Sequence, residues 1–96
     1  MSVMVTITFP MASDEADRIV GENPHLLGAV RPLLEKHGGR FLFRLLGDGE
    51  FTDYDEYPSR EAYAAFKAEA QPAIDAFEAA LGVSSTDEVR DVVRLG

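Results

Sequence analysis

Residues 3–9 alternate, with Val3, Val5, Ile7 and Phe9 on one parity and Met4, Thr6 and Thr8 on the other. Period two with β-branched enrichment, closed by Pro10, predicts a strand. From Ser13 the period becomes helical. Ser13 is placed to act as N-cap, with Asp14 and Glu15 in a first turn where carboxylates favour the helix dipole. Gly21 weakens this helix, and Asn23-Pro24 can open a second segment, Asn as the cap and Pro as the first helical residue. Leu26, Leu27, Val30, Leu33 and Leu34 then recur at helical spacing. Lys36 and His37 fall in the last turn, and Gly38-Gly39 supplies the stop. Pro32, inside the stretch, predicts a kink or a local break. The first helical region is therefore expected in two parts.

Residues 40–46 and 50–57 read as two strands around Gly47-Asp48-Gly49. Asp48-Gly49 is a favoured pair for a type I′ hairpin loop, whose central residues both need positive φ. Pro58 ends the second strand and Ser59 caps a long helix. Ala62, Tyr63, Phe66, Ala70, Ala73, Ile74, Phe77 and Leu81 form its apolar stripe, and Gly82 stops it. Pro72 predicts a kink or a division. In the tail, Ser85-Thr86-Asp87-Glu88 has the form of a capping box, whereas Val89, Asp91, Val93 and Leu95 alternate with Arg90, Val92 and Arg94. The alternation is preferred, giving a fourth strand near 89–95.

The resulting order, β-α-β-β-α-β, is the ferredoxin-like α+β arrangement: a four-stranded antiparallel sheet with helices on one face. Residues 40–46 are apolar at both parities, with Phe41, Phe43 and Leu45 on one and Leu42 and Leu46 on the other. Such a strand calls for cover on both faces. For so small a chain the simplest cover is a second copy, so a homodimer through the open sheet face is expected.

Composition narrows the setting. Ninety-six residues, 46% of them hydrophobic, make one domain spanning 1–96. Seventeen acidic against nine basic residues give a net charge of −8, and no run of basic residues occurs. That balance disfavours nucleic acid and anionic lipid as partners. The chain has no cysteine, hence no disulfide and no thiolate chemistry. It opens without a signal-peptide pattern and holds no apolar run near the ~20 residues that span a bilayer. A cytoplasmic domain that contacts neither membrane nor nucleic acid is expected.

The stretch from Gly47 to Phe66 carries a resemblance. The hairpin Gly47-Asp48-Gly49-Glu50, the strand end Asp55-Glu56-Tyr57, and Ser59 with Glu61-Ala62 opening the last helix are similar to the small antibiotic-biosynthesis-monooxygenase-like proteins. These belong to the dimeric α+β barrel superfamily. Tyr57 stands where the family commonly has Trp, and Tyr63 takes the aromatic place in the helix start. Glu22-Asn23-Pro24 with the following helix also resembles small bacterial members. The resemblance implies oxygenation of an aromatic or polyketide-like substrate without flavin or metal. It equally accommodates isomerases of the muconolactone type, polyketide cyclases, and non-catalytic ligand-binding or dimerisation modules. The helix His of haem-degrading relatives is missing: Phe66 holds the nearest matching position, and no His follows His37.

Candidate chemistry gathers on the hairpin. A two-residue loop would pair Gly47 with Glu50, Arg44 with Asp53, and Leu42 with Asp55. Arg44, Asp53, Asp55 and Tyr57 then share one face with Phe51, Leu42 and Leu46, the apolar walls and few polar groups of a small-molecule pocket. A carboxylate there can act as base if burial raises its pKa. The structural alternative is a cross-strand Arg44–Asp53 pair worth ~0.2–1 kcal/mol, with Asp55 at a solvated rim. Tyr54, Tyr57 and Tyr63 are the only phenols, suited either to stabilising a substrate anion or to core packing. The candidate ligand-binding set is Arg44, Asp53, Asp55, Tyr57 and Tyr63, with Arg44 orienting an anionic or phenolic group and Tyr57 closing the apolar wall. His25 and His37, about 120° apart on an ideal helix, make no metal site. His37 suits the helix C-terminus and His25 a solvated position. The acidic residues 48–56 lack the calcium-loop pattern, Gly47-Asp48-Gly49 joins strands rather than opening a helix, and Ser59 is needed as a cap. No metal and no cofactor are expected.

Overall fold

The computed structural model describes residues 1–96. Its elements follow the changes of period: strand β1 (Val3–Phe9), helices α1 (Ser13–Glu22) and α2 (His25–Lys36), strands β2 (Arg40–Leu46) and β3 (Phe51–Tyr57), helix α3 (Arg60–Leu81) and strand β4 (Thr86–Asp91). The sheet runs β2-β3-β1-β4, every neighbouring pair antiparallel, which is the ferredoxin-like α+β fold. No helix is long and apolar enough to cross a membrane.

Strand alternation sends Val3, Val5, Ile7 and Phe9 to the helix side. Two small cores form there. One joins Val3, Val5, Leu34, Tyr57, Tyr63, Phe66 and Ala70; the other joins Phe9, Ala16, Phe51 and Leu81. Each fully buried large apolar side chain contributes about 1.5–3 kcal/mol by leaving water. Ile7 packs against both clusters.

Several local expectations are corrected. Ser13 is not the N-cap of α1: Ala12 holds that place without a side-chain bond, and the Ser13 hydroxyl accepts from Arg44 instead. Asn23 caps no following helix. Its amide donates to the Ile19 carbonyl at 2.8 Å and so serves the end of α1. The helical region does divide, but at Asn23-Pro24 and not at Pro32, which lies within α2. Likewise α3 runs undivided through Pro72. Both prolines are on exposed helix faces, and so are Gly28 and Ala68, whose carbonyls they leave unpaired, so water can satisfy those groups. Ser59 caps α3 as expected, its Oγ accepting from the Ala62 N–H at 3.0 Å.

The hairpin keeps its two-residue register but not its turn type. Positive φ occurs at Gly49 and not at Asp48, the sign order of a type II turn. Further along, a bulge intervenes between Phe41 and Phe43, so Asp55 faces Phe41 rather than Leu42. The fourth strand lies earlier than 89–95. β4 ends where Asp91 pairs with Val3, the first residue of β1, and beyond that pair the Val92 N–H donates to the Ser2 carbonyl. Val93 and Leu95 therefore find no strand and stay exposed.

Gly39 lies where chain and core meet. A Cβ there would come 2.5 Å from the Tyr57 ring and 2.9 Å from Leu34. Both neighbours are almost wholly buried and have little room to retreat. Gly39→Ala is expected to cost ~1–3 kcal/mol, read as a lower urea midpoint at unchanged slope. An unchanged midpoint would mean that the ring moves aside freely.

Candidate functional site

Between the helices and the sheet lies a cavity of about 540 Å³, within the range that holds drug-sized ligands. Ile7, Phe9, Leu34, Phe66, Ile74 and Phe77 give it apolar walls, drawn from both cores. Arg44, Asp53, Asp55 and Tyr63 reach it from the hairpin and α3. The helix side of the sheet thus holds the pocket, on the face the hairpin register assigns to Arg44 and Asp53.

Arg44 and Asp53 pair as that register requires. The guanidinium donates to Asp53 through Nε at 2.5 Å and Nη2 at 3.1 Å, a two-pronged contact. Its remaining nitrogen donates to Ser13 Oγ and to Asp17, each at 2.9 Å. The plane lies 4.1 Å above the Phe51 ring. Hydrogen bonding to Asp53 first of all holds the Arg44 pKa above its ordinary value. One arginine thereby ties β2, β3 and α1 together.

Asp55 is the unusual group. It is 98% buried, and its Oδ1 has no hydrogen-bond partner in the protein. Asp55 is therefore no solvated rim residue. Burial pushes its pKa up to about 7, and the charge of Asp53 adds to the shift. Buried carboxylates are otherwise nearly always paired. Perturbed acids in clefts concentrate where proton transfer occurs.

The tyrosines divide. Tyr63 lines the cavity and donates its hydroxyl to Asp87, which also receives Lys67 at 3.0 Å. Burial, then the Asp87 bond, raises the Tyr63 pKa above its ordinary value. Burial raises that of Asp87, but the Tyr63 and Lys67 bonds outweigh it and leave the pKa low. Tyr57 does not close the cavity wall. It packs deeper, 4.9 Å from Tyr63 and 5.6 Å from Phe66, with its hydroxyl unpartnered and its pKa raised chiefly by burial. Tyr54 faces the open side, stacked at 4.7 Å on Phe43.

Asp17 and Asp87 are the site residues that sequence reasoning missed. Strand parity could have found Asp87, which pairs across from Ile7, had the fourth strand been placed three residues earlier. Nothing in the sequence points from Arg44 to Asp17, 27 positions away. His37 ends α2 and meets Glu69 at 3.2 Å, while His25 is exposed at its start. No three His, Asp or Glu side chains converge into a metal-holding group.

No protein-family model matches the sequence, and no curated protein matches it either. Solved structures share the fold. A NIPSNAP family protein from Agrobacterium tumefaciens superposes with a TM-score of 0.71 at 13% identity, over 97% of this chain and 94% of that one. SnoaB, a cofactor-independent oxygenase from Streptomyces nogalater, gives 0.64 at 12%, over 98% and 95%. A dimeric ferredoxin-like protein from an uncultured marine organism gives 0.66 at 12%, over 99% and 97%. What these structures share with the chain is the ferredoxin-like α+β architecture. At these identities the likeness is one of fold.

Asp55 gives the site a pH signature. The folded protein holds this proton up to about pH 7, whereas an unfolded chain releases it near pH ~4. The native state binds more protons between those values, so stability falls as pH rises through that window and levels off above it. Asp55→Asn, neutral at every pH, is expected to gain on the native protein as pH rises through that window, by on the order of 1–3 kcal/mol more at pH 8 than at pH 5. An equal difference at both pH values would contradict the assignment.

Proposed function

We propose that the cavity is the active site of a small-molecule enzyme that takes a proton from an aromatic or polyketide-like substrate, in the manner of cofactor-independent antibiotic-biosynthesis-type monooxygenases. The observation that carries this reading is the unpartnered Asp55 carboxyl among apolar walls. A base whose pKa lies near the working pH is half deprotonated there and still strong enough to accept a proton. Removing the acidic proton of a phenol or an activated C–H leaves an electron-rich anion. That anion can itself reduce molecular oxygen. Arg44 and Asp53 fix the rim, and Tyr63 walls the cavity with its hydroxyl committed to Asp87.

A second reading shares the first step. A carboxyl poised to give its proton back also suits an isomerase or cyclase, which returns the proton at another carbon. A module that only binds would need the cavity but not Asp55.

Polycyclic phenols separate these readings. Ligand at 100 times its dissociation constant adds ~2.7 kcal/mol of stability, so a binding phenol is expected to raise the melting temperature of the native protein. Asp55→Asn should keep that shift and lose turnover about 10²–10⁴-fold, followed as oxygen uptake or substrate isomerisation. Undiminished turnover would remove Asp55 from the reaction. No shift with any phenol would remove the ligand class.

The assembly proposed for this enzyme is a homodimer through the open sheet face. Phe43 stacked on Tyr54, Leu45, Met4 and the Thr8–Thr52 hydroxyl pair occupy that face, and Phe43 and Leu45 are each 53% exposed. Light scattering at micromolar concentration is expected to give about twice the 10.5 kDa chain mass. A mass near that of one chain would overturn the dimer.

A further inference from the structure

Nine Lys and Arg side chains face seventeen carboxylates in this chain, and eight of the nine are in ion pairs: Arg18, Lys36, Arg40, Arg44, Arg60, Lys67, Arg90 and Arg94. The ninth is Arg31. A partner is within easy reach, since Glu35 follows it by one helical turn on α2, a spacing that commonly pairs. The guanidinium takes another course. It stands 5.0 Å over the ring of Phe41, and both residues line the cavity.

Stacking on an aromatic face leaves the N–H donors at the guanidinium edge free, in the fork that grips a carboxylate at two points. The β2 bulge makes this arrangement possible. With an unbroken register, Phe41 would oppose Glu56 on the open face. The inserted residue turns it to the cavity, directly across the strands from Asp55. Phe41 therefore links the unpaired cation on one side to the unpaired carboxyl on the other.

Resting on the cavity being a small-molecule site, we infer that Arg31 anchors the anionic group of the ligand, whose class is an organic acid with an aromatic body: the carboxylate sits at Arg31, the rings lie along Phe41, and the reacting carbon points toward Asp55. The other cavity cations are already neutralised, Arg44 by Asp53 and Asp17 and Lys67 by Asp87. The orientation of the ligand follows from that asymmetry.

Titration calorimetry with three probes of one shape tests the assignment: naphthalene-2-carboxylate, naphthalene-2-carboxamide and 2-naphthol. The native protein is expected to bind the carboxylate at least ten-fold tighter than the two neutral probes at low salt, with the advantage shrinking as salt is added. Arg31→Met should abolish the preference and leave the neutral probes unchanged, while Arg31→Lys keeps part of it. Arg60→Met, at an exposed arginine outside the cavity, should behave as the native protein. Equal binding of all three probes by the native protein, or a preference that survives Arg31→Met, overturns the anchor and leaves the cavity reading standing. Loss of the preference in Arg60→Met also overturns it, as a bulk charge effect. Binding of none of the three at millimolar concentration overturns the anchor and the cavity reading together.

Discussion

The guanidinium of Arg44 satisfies a carboxylate on the neighbouring strand, a carboxylate and a hydroxyl on α1, and the face of an aromatic ring, all at once. Its position depends on the hairpin register, because a shift of one residue would turn it to the opposite face. With Arg44 in place, Asp53 is a bound anion. Its charge then adds to the burial that pushes the Asp55 pKa up to about 7, and Asp55 has no cation of its own. Two acids in adjacent, dissimilar settings are a recurring arrangement where protons are moved.

Much of the fold was legible in the sequence because period carries the information. The alternation of Val3 to Phe9 and the stripe from Ala62 to Leu81 each fit one kind of element. Ser59 and Gly82 mark the ends of α3 by chemistry local to the chain. The corrections concern features that only the assembled fold decides. Pro32 and Pro72 read as breaks, yet each sits on an exposed helix face where water can replace the lost bond. The last strand stops opposite Val3, where β1 begins, and nothing in the sequence of 89–95 records that register. The bulge at Leu42 is likewise a property of two strands together.

For the site, parity placed Arg44, Asp53 and Asp55 on one face, and the tight loop set the first pair in register. Sequence could not supply the depth at which each lies. Tyr57 shares the parity of Asp55 but sits at the β3 end that Gly39 and Leu34 cover, so it joins the core, while Asp55 borders open space. The isolation of Arg31 is also invisible in one dimension. It consists in the absence of a bond to Glu35, which the spacing alone would have predicted.

The cavity is lined from both hydrophobic clusters, and this has a further effect on the whole molecule. With Ile7 packed against both clusters, the protein is two small packed regions sharing a frontier. Regions so joined open with some independence, and amide exchange reports such units separately. An occupant touching both walls adds contacts across the frontier to those that Ile7 makes. It would act as a missing piece of core, slowing exchange on both sides together, so that occupancy of the site and the cooperativity of the fold become one thermodynamic quantity.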